Sequence, residues 1–161
     1  MVVGQAGAAA AALVVVAASP GRTLEQLREP LGLTQPGATR LVERLVQAGW
    51  IERGGPGGRR GLRLRLTATG QQVFEELLAA RRAALTELLT PLSGQQQAQL
   101  AELFETLLAA CTHDRADLER LCRLCERRTC KRCPVGYALD QILDAAREEE
   151  MHHANPRQAR P

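Results

Sequence analysis

Aromatic side chains are scarce: phenylalanine, tyrosine and tryptophan together make up 2 % of the 161 residues. A core built around large rings is therefore excluded. It has to come from leucine, valine and alanine, within a hydrophobic share of 45 %. Alanine, leucine, arginine, glutamine and glutamate are good helix formers, so the composition points to a mainly helical chain. No basic residue precedes Arg22, and the apolar run Ala8 to Ala18 lacks the positive flank of a secretory leader. The run is also too short to span a bilayer. The expectation is a buried helix of a soluble, cytoplasmic protein with no membrane partner. A reducing compartment then means that the five cysteines are not to be paired off as disulfides. Also missing are a Ser-His-Asp set, paired carboxylates and internal repeats. The glycine-rich stretch Gly54 to Gly61 has no Lys-Ser/Thr after it, so it does not match a phosphate-binding loop. These absences argue against an enzyme.

The length fits one domain with an appendage. A formal charge of +3 says little, but its distribution says more. Arg53, Arg59, Arg60, Arg63 and Arg65 occur with no acid between them, the footprint of a surface for a polyanion. Taken alone, such a run is equally a solvated face.

The periodicity predicts a helix over Ala6 to Ala18, apolar on every side and stopped by Ser19-Pro20-Gly21. A second helix begins after Thr23, with Gln26 completing a capping box and Leu24, Leu27 and Leu31 on one face. Pro30 is expected to shorten or distort it at Glu29. After a tight turn at Gly32-Leu33, a third helix is capped by Thr34 and tolerates Pro36 in its first turn. Ala38, Leu41, Val42 and Leu45 form its apolar stripe, and Gln35, Thr39, Arg40, Glu43, Arg44 and Gln47 fall away from it. Gly49 is placed to end it. Trp50 to Arg53 reads as a strand, the glycines from Gly54 to Gly58 as a hairpin tip, and Leu62 to Leu66 as a second strand alternating leucine and arginine. Thr67 caps a long helix to about Leu89, with Val73, Leu77, Leu78, Leu85, Leu88 and Leu89 apolar. Pro91 ends it, and Ser93 with Gln96 opens the next, lined by Leu100, Leu103, Leu107 and Ala110. This is more apolar surface than a small head can cover, which points to an oligomer interface. Pro134 to about Met151 reads as a last helix, and Asn155 to Pro161 as a disordered tail.

Two short helices, a tight turn and a basic hairpin make a winged helix-turn-helix. A helix of about 10–12 Å diameter fits the major groove of B-DNA, and its N-terminus suits a phosphate. An arginine at a hairpin tip can enter the minor groove. The stretch from Leu33 through Leu45, followed by Gly49-Trp50-Ile51-Glu52-Arg53, resembles the recognition helix and first wing strand of MarR-family regulators. Arg59-Arg60-Gly61 through Leu64-Arg65-Leu66-Thr67 and Gly70 resembles their second wing strand and the start of their long helix. The resemblance covers roughly residues 6 to 110. It implies a mainly α fold with a small two-stranded β wing and long C-terminal dimerisation helices. The divisions it suggests are 1–66 for the winged helix, 67–115 for dimerisation, 116–154 for a cysteine-rich extension and 155–161 for the tail.

The resemblance further implies that Gln35, Pro36, Thr39 and Arg40 read the major groove and that Arg44 touches the backbone. Arg60 corresponds to the wing arginine of the minor groove, with Arg59 its neighbour. Outside that pattern Arg40 and Arg44 would read as solvated helix residues. The implied function is a transcriptional regulator, a repressor in most of the family, acting as a homodimer on a pseudo-palindromic duplex and released by a small ligand, an oxidant or a metal. The competing class is a winged-helix protein-interaction module with a structural zinc knuckle. Two departures stand out. The acid that the family places two residues before the wing arginine is missing from the tip. The family also has a helix before the alanine-rich one, and the chain begins about where that helix would end. Either the start site is placed too late, which is the expectation, or the dimer is built from the C-terminal helices alone.

The cysteines form a second pattern, Cys122-x2-Cys125-x4-Cys130-x2-Cys133. Four thiolates satisfy a tetrahedral zinc, and six basic residues in this region would offset the charge. Zinc held by all four is the expectation. An iron–sulfur cluster uses the same ligands, and a dithiol switch or inert thiols fit the spacing too. Cys111 is expected to be a buried structural cysteine. His113, His152 and His153 are weak candidates to assist a metal.

Overall fold

The structure is a computed structural model that describes residues 3–54, 63–125, 130 and 133–154, with side chains for 7–54, 63–125, 130 and 133–147. In chain order the elements are α1 (Val3–Ala18), α2 (Leu24–Leu31), α3 (Gln35–Gln47), β1 (Ile51–Gly54), β2 (Arg63–Leu66), α4 (Ala68–Leu89), α5 (Gly94–Ala110), α6 (Arg115–Leu121) and α7 (Pro134–Ala154), with a 3-10 turn at Cys122–Leu124. Helix α1 starts three residues earlier than its periodicity predicts. Among the described residues no helix is long and apolar enough to cross a membrane.

Helix α1 is the centre of the head. Ala12, Leu13, Val15 and Val16 are buried against Leu27 of α2, Leu41, Val42 and Leu45 of α3, and Ile51 and Leu64 of the strands. Val14 faces the other way, onto Phe74 and Leu78 of α4. A helix covered from both sides needs no polar stripe, which is why its sequence shows none.

The caps carry the local instructions. Thr23 and Gln26 complete the capping box at α2, and Ser93 and Gln96 do so at α5. Thr34 Oγ1 accepts from Gly37 N (3.3 Å) at α3. At its far end Gly49 N donates to Val46 O and Trp50 N to Leu45 O, both 2.9 Å. This Schellman closure needs the left-handed φ of +73° that Gly49 supplies. Helix α2 is short, eight residues, but Pro30 does not stop it at Glu29: the helix runs through it to Leu31, with Pro30 buried. Proline withholds the amide that would reach Gln26 O, and Arg22 Nη1 fills that role at 3.0 Å.

Strands β1 and β2 pair antiparallel, with Ile51 opposite Leu66, Glu52 opposite Arg65 and Arg53 opposite Leu64. Leu64 is buried while Arg63 and Arg65 are exposed, the expected alternation. The sheet gains a third edge that the sequence reading treated only as a stop. Gly21 N donates to Leu64 O (2.9 Å) and Leu64 N to Arg22 O (2.8 Å), so the turn before α2 is stitched to the wing.

Beyond Leu78, α4 has no buried residue, and α5 has none at all. Leu85, Leu88, Leu103, Phe104 and Leu107 are exposed, as are Tyr137 and Leu143 of α7, which packs on α5. Helix α6 carries no sequence expectation of its own. Its N-cap is Asp114, whose carboxylate accepts from Asp117 N at 2.8 Å. Cys111 is exposed rather than buried, because it caps α5 at the helix end, and Thr112 takes the buried position with its hydroxyl donating to Leu108 O (2.8 Å).

Candidate nucleic-acid interface

Helix α3 is held by one side. Ala38, Leu41, Val42 and Leu45 are each no more than 2 % exposed. Gln35, Pro36, Arg40, Glu43, Arg44 and Gln47 are exposed on the remainder, and Thr39 is half-buried with its hydroxyl donating to Gln35 O at 3.0 Å. The structure therefore brings all five predicted α3 residues to the outside of one 13-residue helix. Arg40 forms no ion pair among the described residues. In the first turn of α3 the Thr34 hydroxyl takes the Gly37 amide and Pro36 has no N–H, so this end offers the partial positive charge of the helix rather than a set of open amides.

The wing base lies beside this helix in the chain. Arg53 and Arg65 are exposed on it, but Glu52 stands opposite Arg65 and moderates the positive stripe. Arg63 is exposed as well, but its Nη1 is engaged, donating to Gly21 O at 3.0 Å. The tip residues Arg59 and Arg60 lie outside the described residues. Near the turn into α3, Arg28 is engaged by Glu25. The hydrogen bond from Arg28 holds the Glu25 carboxyl below the usual carboxylate range and pushes the guanidinium further up.

Sequence reasoning missed what ties the C-terminal segment to the head. Arg22 makes a two-pronged ion pair with Glu119 of α6, at 2.9 and 3.0 Å, with side chains 14 % and 22 % exposed. The same Arg22 is the residue stitched to Leu64 of the wing. Arg81 of α4 also donates to Leu124 O. Between α1 and α4 lies a cleft of about 480 Å³, lined by Val14, Ala17, Phe74, Leu78, Arg82 and Cys125 among others.

Of the four predicted metal ligands, Cys122 is buried and borders α1, Cys125 borders the cleft, Cys133 is half-buried and Cys130 is exposed. Among the described residues no group of three or more His, Cys, Asp or Glu side chains is arranged to hold a metal ion. Partial burial of its sulfur, then Cys133 and Cys125, push the Cys130 thiol up. Exposed His113 is committed to Asp117, its Nδ1 lying 3.0 Å from Oδ2, a contact that lowers the Asp117 carboxyl. The side chains of His152 and His153 lie outside those described.

Comparison with known proteins matches residues 6–61 to the MarR family model. The chain is 35 % identical over 80 residues to the transcriptional repressor MprA of Escherichia coli K12, across 49 % of this chain and 46 % of that protein. It thus spans about half the length of the curated relatives it matches. Among solved structures it is similar to the reduced form of MarR from E. coli (28 % identity, TM-score 0.55), over 63 % of this chain and 76 % of that one. It is also similar to RV1404 of Mycobacterium tuberculosis (26 %, TM-score 0.56), over 64 % and 71 %. A third likeness is to the M. tuberculosis MarR family protein RV2887, solved with salicylic acid (26 %, TM-score 0.51), over 62 % and 75 %. Residues 6–61 thus match the MarR family model, and the fold built around them is similar to that of solved MarR proteins.

Proposed function

We propose that the chain is a DNA-binding transcriptional regulator that represses by occupying a pseudo-palindromic duplex as a homodimer. The observation that carries this reading is the exposed side of α3, where Gln35, Pro36, Thr39, Arg40 and Arg44 share one surface while the apolar stripe is spent on the core. A helix so mounted lies in the major groove, its arginines reaching guanine edges and phosphates. Arg59 and Arg60 complete the contact from the wing. MprA, the relative named a transcriptional repressor, supplies the sign of regulation. Duplex affinity measured against salt tests the reading. The logarithm of the binding constant should fall linearly with that of salt, at roughly 0.9 per phosphate neutralised. No binding to any duplex at low salt would overturn it in favour of a protein-interaction module.

The homodimer rests on Leu85, Leu88, Leu103, Phe104 and Leu107, which are exposed among the described residues. In proteins most of a helix's stability comes from packing its apolar face rather than from intrinsic propensity. In a two-fold dimer each substitution counts twice, and burying one leucine contributes about 1.5–3 kcal/mol. Leu107→Asp is therefore expected to raise the dimer dissociation constant more than about 100-fold in sedimentation equilibrium. A dissociation constant equal to wild type would remove α5 from the interface. The α1–α4 cleft is the place for a small apolar effector, since its volume falls in the range of small-molecule sites. It joins the head to the helices that would set the spacing of the two reading heads.

A further inference from the structure

The turn between α1 and α2 is tied to the wing by its backbone and to α6 by one side chain. Arg22 O accepts from Leu64 N (2.8 Å) and Gly21 N donates to Leu64 O (2.9 Å), so residues 21–22 form a further edge on β2. Gly21 reaches this position with a left-handed φ of +88°. Arg63 Nη1 closes the same edge on Gly21 O. The Arg22 side chain runs the other way. Its Nη1 and Nη2 donate to Oε2 and Oε1 of Glu119, at 3.0 and 2.9 Å. The same Nη1 serves Gln26 O, the carbonyl that Pro30 leaves without its amide. Both side chains of the pair are largely out of water. Helix α6 is seated in turn by Cys122, buried three residues after Glu119 in a narrow cleft with Val14, Val15, Ala18 and Pro30.

We propose that Glu119 is a positioning residue for the wing: by fixing the Arg22 guanidinium it holds the edge on which β2 hangs, so the docking of α6 sets how firmly the wing meets a duplex. Each wing strand has four residues, and a two-stranded ribbon of that kind is marginal by itself. Support at its base therefore matters. A guanidinium this far from water needs its counter-charge, and removing one partner of such a pair leaves a charge that has to move toward solvent. As Arg22 moves it gives up Gln26 O and pulls on the backbone oxygen that accepts from Leu64. A loosened wing has to be ordered again on binding, and the cost of that ordering lowers the affinity. The effect on affinity rests on the regulator reading, whereas the positioning of β2 does not.

The test is amide hydrogen exchange, read residue by residue on the full chain. In the wild type the Leu64 amide should be protected by its bond to Arg22 O. Glu119→Gln keeps the shape of the side chain and removes its charge. In this variant the Leu64 and Gly21 amides should exchange at least about 10-fold faster, while Leu41 and Val42 in the middle of α3 keep their wild-type rates. Arg22→Lys keeps the charge without the planar fork and should show the same local pattern. At a temperature where both proteins are folded, Glu119→Gln should weaken duplex binding about 3- to 30-fold, the range for a residue that touches neither partner directly. An ion pair that only added overall stability would speed Leu41, Val42 and Leu64 together, and that outcome overturns the proposal. So does an unprotected Leu64 amide in the wild type, or a freed Leu64 amide in Glu119→Gln with duplex affinity unchanged. A wild type that binds no duplex overturns the regulator reading alone, because exchange at Leu64 decides the positioning of β2 without DNA.

Discussion

Arg40→Ala is expected to weaken binding to the best duplex by about 5- to 150-fold, the equivalent of roughly 1–3 kcal/mol for losing one good base contact. The loss should be confined to duplexes bearing the preferred base pair, so selectivity at that position collapses while binding to unrelated duplexes changes little. Arg44→Ala should behave differently. As a backbone contact it should lower affinity for all duplexes alike and reduce the salt slope by about 1. Neither change should disturb folding, since both side chains are exposed and the helix is held by Ala38, Leu41, Val42 and Leu45. Fluorescence anisotropy on a panel of single-base variants, at two or more salt concentrations, separates the two behaviours. If Arg40→Ala leaves affinity, selectivity and salt slope all at wild-type values, α3 is not the reading helix.

The parts of this arrangement that could be read from sequence are those in which cause and effect lie within a few residues. Thr23 with Gln26, Thr34 with Gly37, and Ser93 with Gln96 close their hydrogen bonds over three positions, so the helix starts were legible. The stripe of α3 was legible because an i, i+3, i+4, i+7 pattern reports directly which side is buried. Helix α2 is short, as expected, but its run through Pro30 to Leu31 was not legible, because what supports it is a side chain, Arg22, whose guanidinium reaches the carbonyl that proline leaves unpaired. Cys111 was misjudged because a stripe says nothing about where the helix stops. The Arg22–Glu119 pair spans 97 residues and has no local signature. With it went the docking of α6 and the burial of Cys122, which spacing alone does not distinguish from the other three cysteines.

The close pattern Leu66-Thr67-Ala68-Thr69-Gly70 owes its glycine to packing rather than to backbone conformation, and this makes Gly70→Ala a damaging substitution despite its small size. A Cβ at Gly70 would stand 1.8 Å from Trp50 O and 2.7 Å from its carbonyl carbon, where no rotamer change can relieve it. That carbonyl also accepts from Thr67 N at 3.1 Å, while Thr67 Oγ1 donates to Gly49 O and accepts from Gly70 N at 3.0 Å. The first turn of α4 is thus clasped to the end of α3 and the start of β1. Relieving the contact means lifting α4, which would break the Thr67 cap and draw Phe74 and Leu78 off Val14. Helix propensity works in the opposite sense, favouring alanine by about 1 kcal/mol, so the clash has to outweigh it. A net loss of about 3 kcal/mol is expected, lowering the melting temperature by roughly 6–12 °C for a chain of this size. Gly94→Ala in α5 is the internal control: its Cβ would meet nothing within 4 Å, and its melting temperature should hold or rise. Because α4 joins the reading head to the exposed helices proposed to dimerise, Gly70→Ala should also lower duplex affinity under conditions where the protein remains folded. A Gly70→Ala protein that melts with the Gly94→Ala control would mean that α4 and the wing are not clasped in this way.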